Sequence, residues 1–159
     1  MGSHTKSVSD DLRTILDALR HLVRELRRTA AVAESRLGIS GAQLFVLQTL
    51  ARGKAGSINE LAELTATHQS SVSVVVSRLV ERNLVRRVAS AVDARRMEIE
   101  LTDAGRKMLA RAPEVAQTRL FEGVRRLPAA DRRHLSRTLE TLVALMGAPA
   151  VPPALFFEE

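Results

Sequence analysis

Apolar residues recur at three- and four-residue steps early in the chain, at Leu12, Ile15, Leu16, Leu19, Leu22, Val23 and Leu26. That spacing predicts an amphipathic helix over residues 10–33, with Arg13, Arg20, Arg24, Arg27 and Arg28 mostly off the apolar stripe. Gly38 and Gly41 then punctuate the chain, and Ser40 with Gln43 has capping-box spacing. A second helix follows, carrying Leu44, Leu47 and Leu50, widened by Phe45 and Val46 and closed by Gly53 and Gly56. Ser57 and Glu60 make another capping box, so a short third helix runs to about Leu64. Thr67 is placed to cap a fourth, from His68 to Arg82, and Asn83 stands where a left-handed residue commonly ends a helix.

The period then changes from helical to alternating. Leu84 to Ala89 and Arg96 to Leu101 read as two strands, Met97, Ile99 and Leu101 alternating with Glu98 and Glu100. The polar link from Ser90 to Arg95 makes them a hairpin, with Arg86 and Arg87 able to pair with the glutamates across it. Thr102 caps a fifth helix, Asp103 to about Arg126, which Pro113 must kink or split because it removes a backbone donor. A sixth helix spans about Ala129 to Met146, and the tail ends in Leu155-Phe156-Phe157. The fold expected is mainly α with a small β wing: a winged helix-turn-helix of six helices, dimerising through its N- and C-terminal helices. Residues 1–9 are read as a disordered N-terminus, with Met1 to His4 resembling an expression remnant, and 10–147 as one unit. Within it the winged helix covers about 40–102 and the dimerisation helices about 10–33 and 103–147; 148–159 is a tail that either packs across the dimer or is disordered.

Composition narrows the chemistry. The 159 residues contain no cysteine, which excludes disulfides, thiolate metal sites and a cysteine nucleophile. No apolar stretch long enough for a membrane helix survives the tail prolines, and no secretory signal is visible, so a cytoplasmic location without membrane contact is expected. The formal net charge is +6. Between Ala66 and Met97 six arginines (Arg78, Arg82, Arg86, Arg87, Arg95, Arg96) face only Glu81 and Asp93, a surplus of four. No two of His4, His21, His68 and His134 are spaced as metal ligands, and no phosphate loop or nucleophile elbow occurs, so neither catalysis nor a cofactor or metal is expected.

On a wheel of about 100° per residue, Val72, Val75, Val76 and Leu79 share one face of the fourth helix. Ser70, Ser73, Val74 and Ser77 point the other way, flanked by Gln69 and Arg78. A face of small hydroxyls can approach DNA closely: hydroxyls serve phosphates and bases, Gln pairs with adenine, and Val meets a thymine methyl. Alone, that face suits a solvated serine-rich helix equally well. Beside an arginine-rich hairpin it becomes a phosphate-binding surface.

The run Leu84-Val85-Arg86-Arg87, then Asp93-Ala94-Arg95-Arg96, then Leu101-Thr102-Asp103-Ala104-Gly105 resembles the wing signature of the MarR family of multiple-antibiotic-resistance regulators. His68 to Ser73 is similar to the start of that family's recognition helix and Leu79 to Val85 to its end. The resemblance extends in element order from Asp10 to Met146. It implies a homodimeric transcription factor, usually a repressor, bound to double-stranded DNA. It also implies that Arg95 enters the minor groove from the wing tip while Asp93 orients it or holds the turn. The departures are Val74 where a polar reader is common, Asn83 where glycine is usual, and Pro113 and Pro128.

Leu139, Leu142, Val143 and Met146 would be exposed in a monomer, which favours pairing with a second copy and hence an inverted-repeat site. The resemblance further implies an effector crevice between the dimer helices and the winged lobe, with His21, Arg24, Phe45 and Met108 as wall candidates. The competing functions are a non-specific architectural DNA binder and a protein-interaction module; the wing arginines speak against the second.

Overall fold

The structure is a computed structural model that describes residues 2–53, 56–91, 93, 95–148 and 155–156, with side chains from residue 8 onward. Its elements run α1 (Gly2–Leu37), α2 (Gly41–Ala51), α3 (Ile58–Thr65), α4 (Gln69–Glu81), β1 (Val85–Ala89), β2 (Met97–Leu101), α5 (Asp103–Leu109), α6 (Ala116–Arg126) and α7 (Ala129–Leu145). The winged-helix order is therefore as expected, but the described residues hold seven helices rather than six. The extra one arises at Pro113, which falls between α5 and α6. Gln48 bridges the break: its Nε2 donates to the Pro113 carbonyl (2.8 Å) and its Oε1 accepts from the Thr118 hydroxyl (3.0 Å). At the start of α6, the Ala116 amide donates to the Thr29 hydroxyl of α1 at 3.1 Å, satisfying an end group that the split would otherwise orphan. Helix α1 also begins at Gly2, inside the segment expected to be disordered.

Both capping boxes form. Ser40 and Gln43 exchange bonds at the start of α2, and Ser57 and Glu60 do so at the start of α3. Thr67 does not cap α4. The chain leaves α3 through Ala66 in the left-handed region (φ 50), which turns Thr67 back onto α3. Its amide then donates to the Ala62 carbonyl (2.9 Å) and its hydroxyl to that of Thr65 (3.0 Å), leaving His68 as a cap without a side-chain bond. Asn83 does take the left-handed conformation (φ 55), as its position predicts.

A single core joins the helix-turn-helix to the wing. Leu44, Val46 and Leu47 of α2, Leu61 of α3, Val72, Val75, Val76 and Leu79 of α4, and Val85 and Ile99 of the hairpin are all buried in one cluster. The strands pair antiparallel with Val85 opposite Leu101 and Arg86 opposite Glu100. The Leu-Thr-x-x-Gly run fastens the wing's exit to its entry. Thr102 donates its hydroxyl to the Asn83 carbonyl (2.7 Å) and accepts from the Gly105 amide (3.1 Å), capping α5. Gly105 must be glycine, because a Cβ there would lie 2.1 Å from the Leu84 carbonyl oxygen. By contrast α7 contains no buried residue.

Candidate nucleic-acid interface

The core fixes which way α4 faces. With Val72, Val75, Val76 and Leu79 turned inward, Gln69, Ser70 and Val74 (45% exposed) lie outside, and Ser73, Ser77 and Arg78 sit half-buried beside them. The outer face is thus the one expected from the helical wheel. It is anchored to the hairpin by Arg87, whose Nη2 donates to the Ser77 hydroxyl at 3.1 Å. That bond takes one of the face's hydroxyls as a partner for the wing.

The wing tip is organised by Asp93. Its carboxylate accepts from the Arg95 amide (3.0 Å) and its carbonyl from the Arg96 amide (2.9 Å), while the Ser90 amide donates to the Arg96 carbonyl (2.8 Å). Of the two roles open to Asp93, these bonds are those of a turn former. They leave the exposed Arg95 side chain, among the described residues, without an acidic partner.

The other wing arginines are engaged. Arg86 pairs with Glu100 across the ladder at 2.8 Å, as the alternation predicts. Arg87, also expected to meet a glutamate, lies opposite Ile99 and reaches Ser77 instead. Arg96 pairs with Glu60 of α3 at 3.3 Å. Glu60 is the least local residue of the assembly. One oxygen accepts from the Gly56 (2.8 Å) and Ser57 (3.0 Å) amides, and the other accepts from Arg96. The two backbone donors, and after them the Arg96 charge, hold its carboxyl below the ordinary carboxylate range. The Ile99 amide also donates to the Gly56 carbonyl, so the base of the wing is clasped to the start of α3. The sequence reveals Glu60 as a cap, but nothing local signals a partner 36 positions away.

The four expected effector-wall residues are not brought together. His21 and Arg24 are exposed on α1, where Arg24 lines a shallow groove with Leu16 and Val23. Met108 is half-buried against the core, and Phe45 is buried and lines a separate cavity of about 380 Å³ with Phe121 and Leu120 of α6.

Known proteins resemble this arrangement. The sequence profile of the MarR family matches residues 37–96. The HTH-type transcriptional repressor MdtR of Bacillus subtilis (strain 168) is 29% identical over 100 residues, 63% of this chain and 64% of that protein, so the match spans just under two thirds of the relative's length. A probable transcriptional regulator from Pseudomonas aeruginosa of known structure is 28% identical with a TM-score of 0.53, over 80% of this chain and 96% of its own. A mutant S. aureus MepR bound to an oligodeoxyribonucleotide shares the fold at 22% identity and a TM-score of 0.50, over 83% of this chain and 97% of its own.

Proposed function

Since residues 37–96 match the sequence profile of the MarR family, we propose that the chain is a cytoplasmic, non-enzymatic transcriptional regulator that represses by occupying an inverted-repeat operator as a homodimer. The observation that carries this reading is the orientation of α4. Val72, Val75, Val76 and Leu79 are consumed by the core, and the edge carrying Gln69, Ser70, Ser73 and Val74 emerges beside a wing whose tip arginine has no counter-charge among the described residues. In this reading Gln69, Ser70, Ser73 and Val74 meet base edges in the major groove, while Ser77 and Arg78 lie toward the backbone. Arg95 enters the minor groove, where a narrow width concentrates negative potential. Arg86 and Arg96, each held by a carboxylate of the same chain, contribute by keeping the wing in place rather than by serving as free phosphate ligands. The comparison with a MepR mutant bound to an oligodeoxyribonucleotide supports the fold's fitness for this role.

Dimerisation is supported by α7, a helix of 17 residues none of which is buried within one copy. A helix of that length gains little from its own hydrogen bonds in water and is normally held by packing of an apolar face. Two copies related by a two-fold axis present two α4 helices to successive major grooves. Effector-dependent release is the regulatory half of the reading, and the cavity beside Phe45 is large enough for a small apolar molecule.

Selection of bound duplexes from a random pool tests the reading. The expected product is an inverted repeat with half-sites about 10 base pairs apart. Tight binding without any enriched symmetric sequence would instead favour a non-specific architectural protein.

A further inference from the structure

The cavity of about 380 Å³ has an unusual wall. Most of it comes from α2, α6 and the turn that joins α3 to α4, including Phe45, Phe121 and Ala66. Phe45 and Phe121 meet edge to face with centroids 6.4 Å apart, and the Arg125 guanidinium lies 5.7 Å over the Phe121 ring. The remaining wall is made by Leu155 and Phe156, which lie beyond the end of α7. Leu155 is only 4% exposed and belongs to the same core cluster as Val72 and Val75 of α4. Phe156 sits at the rim, 52% exposed. A leucine from a proline-rich terminal segment has thus become part of the core of the winged-helix unit.

The turn on this wall is not relaxed. Ala66 is held at φ 50, a conformation that a Cβ disfavours and that persists only where neighbours enforce it. Three residues later α4 begins. Contacts that hold Ala66 and Thr67 therefore bear on where the outer face of α4 points.

We propose that Leu155 and Phe156 are an intrachain plug that fills one end of this cavity and braces the α3–α4 turn, so that the tail sets the readiness of α4 to bind DNA. The inference rests on the DNA-binding reading for its output, but the plug itself can be measured without DNA. Two variants suffice: a chain ending at Ala148, and the full chain carrying Leu155→Ala with Phe156→Ala. Their helix content is checked by circular dichroism. The dye anilinonaphthalene sulfonate, an apolar aromatic anion, reports on the emptied cavity. Both variants should raise its fluorescence severalfold over the unaltered chain and weaken binding to the selected duplex by about fivefold. If the shortened chain loses helix, the full-length variant supplies the same two readings. Dye binding equal to that of the unaltered chain overturns the plug. Increased dye binding with unchanged DNA affinity overturns the bracing of the turn. Failure of every form, the unaltered chain included, to bind any duplex counts against the function proposed above and leaves the dye result to decide the plug.

Discussion

Two adjacent arginines at the wing tip have opposite electrostatic situations. Arg95 is exposed, and the local carboxylate, Asp93, bonds its backbone amide rather than its side chain. Arg96 already has a carboxylate, 3.3 Å away on Glu60. A phosphate that contacts Arg95 releases a condensed cation; a phosphate near Arg96 must compete with Glu60 for the same guanidinium. Arg95→Ala should therefore weaken duplex binding about tenfold and lower the slope of log affinity against log salt by about one. Arg96→Ala should leave that slope unchanged and act only through the position of the wing. Fluorescence anisotropy titrations at four salt concentrations read both quantities. Equal slope changes for the two variants would mean that Arg96 abandons Glu60 on binding.

At the scale of elements, the wing is a two-stranded hairpin, which is marginal by itself in water and needs docking to be ordered. Its docking combines the burial of Val85 and Ile99 with polar ties, among them the Arg87–Ser77 and Thr102–Asn83 bonds and the clasp at Glu60. Because the folded protein depresses the Glu60 carboxyl, its contribution is fully present above the ordinary carboxylate range and is lost as pH falls through the depressed value. Glu60→Gln keeps an oxygen for the backbone amides but removes the charge that holds Arg96. It should melt below the unaltered chain at neutral pH and converge with it as the pH is lowered through and below the usual carboxylate range, as measured by thermal melts across that span. A constant difference at every pH would contradict the assignment. The elements themselves were legible in the sequence because their causes are local: capping boxes at Ser40 and Ser57, alternation in Met97–Leu101, a left-handed Asn83 and a helix-breaking Pro113. The outer face of α4 followed from the same periodicity. What the sequence did not reveal depends on contacts between distant segments. Ala66 adopts positive φ without being Gly or Asn, Arg96 finds Glu60 rather than open solvent, and Leu155 enters a core begun more than a hundred residues earlier.

For the whole molecule, most of the large exposed apolar side chains among the described residues lie on α1 and at α7. Leu12 and Ile15 of α1 are 55% and 52% exposed, and Leu139, Leu142 and Val143 of α7 are 42%, 37% and 51% exposed. Leu139, Leu142 and Val143 fall at three- and four-residue steps, so they form a stripe rather than a scatter, and a stripe of that kind is normally covered. In the proposed dimer a second copy would cover it by the same surface it offers, as two-fold symmetry requires. Placing a carboxylate in the stripe forces each copy to bury a charge against its partner's apolar face, which costs far more than the lost contact alone. Leu142→Glu with Val143→Glu should halve the mass seen by sedimentation. It should also remove the dependence of the melting temperature on protein concentration, since association stabilises only the paired form. Binding to a single half-site should survive in the separated chains, because α4 and the wing belong wholly to one copy. Binding to the full inverted repeat should fall by at least a hundredfold, the advantage of joining two sites on one duplex. A monomeric mass for the unaltered chain at micromolar concentration would remove the two-fold arrangement and, with it, the reason to expect a symmetric operator.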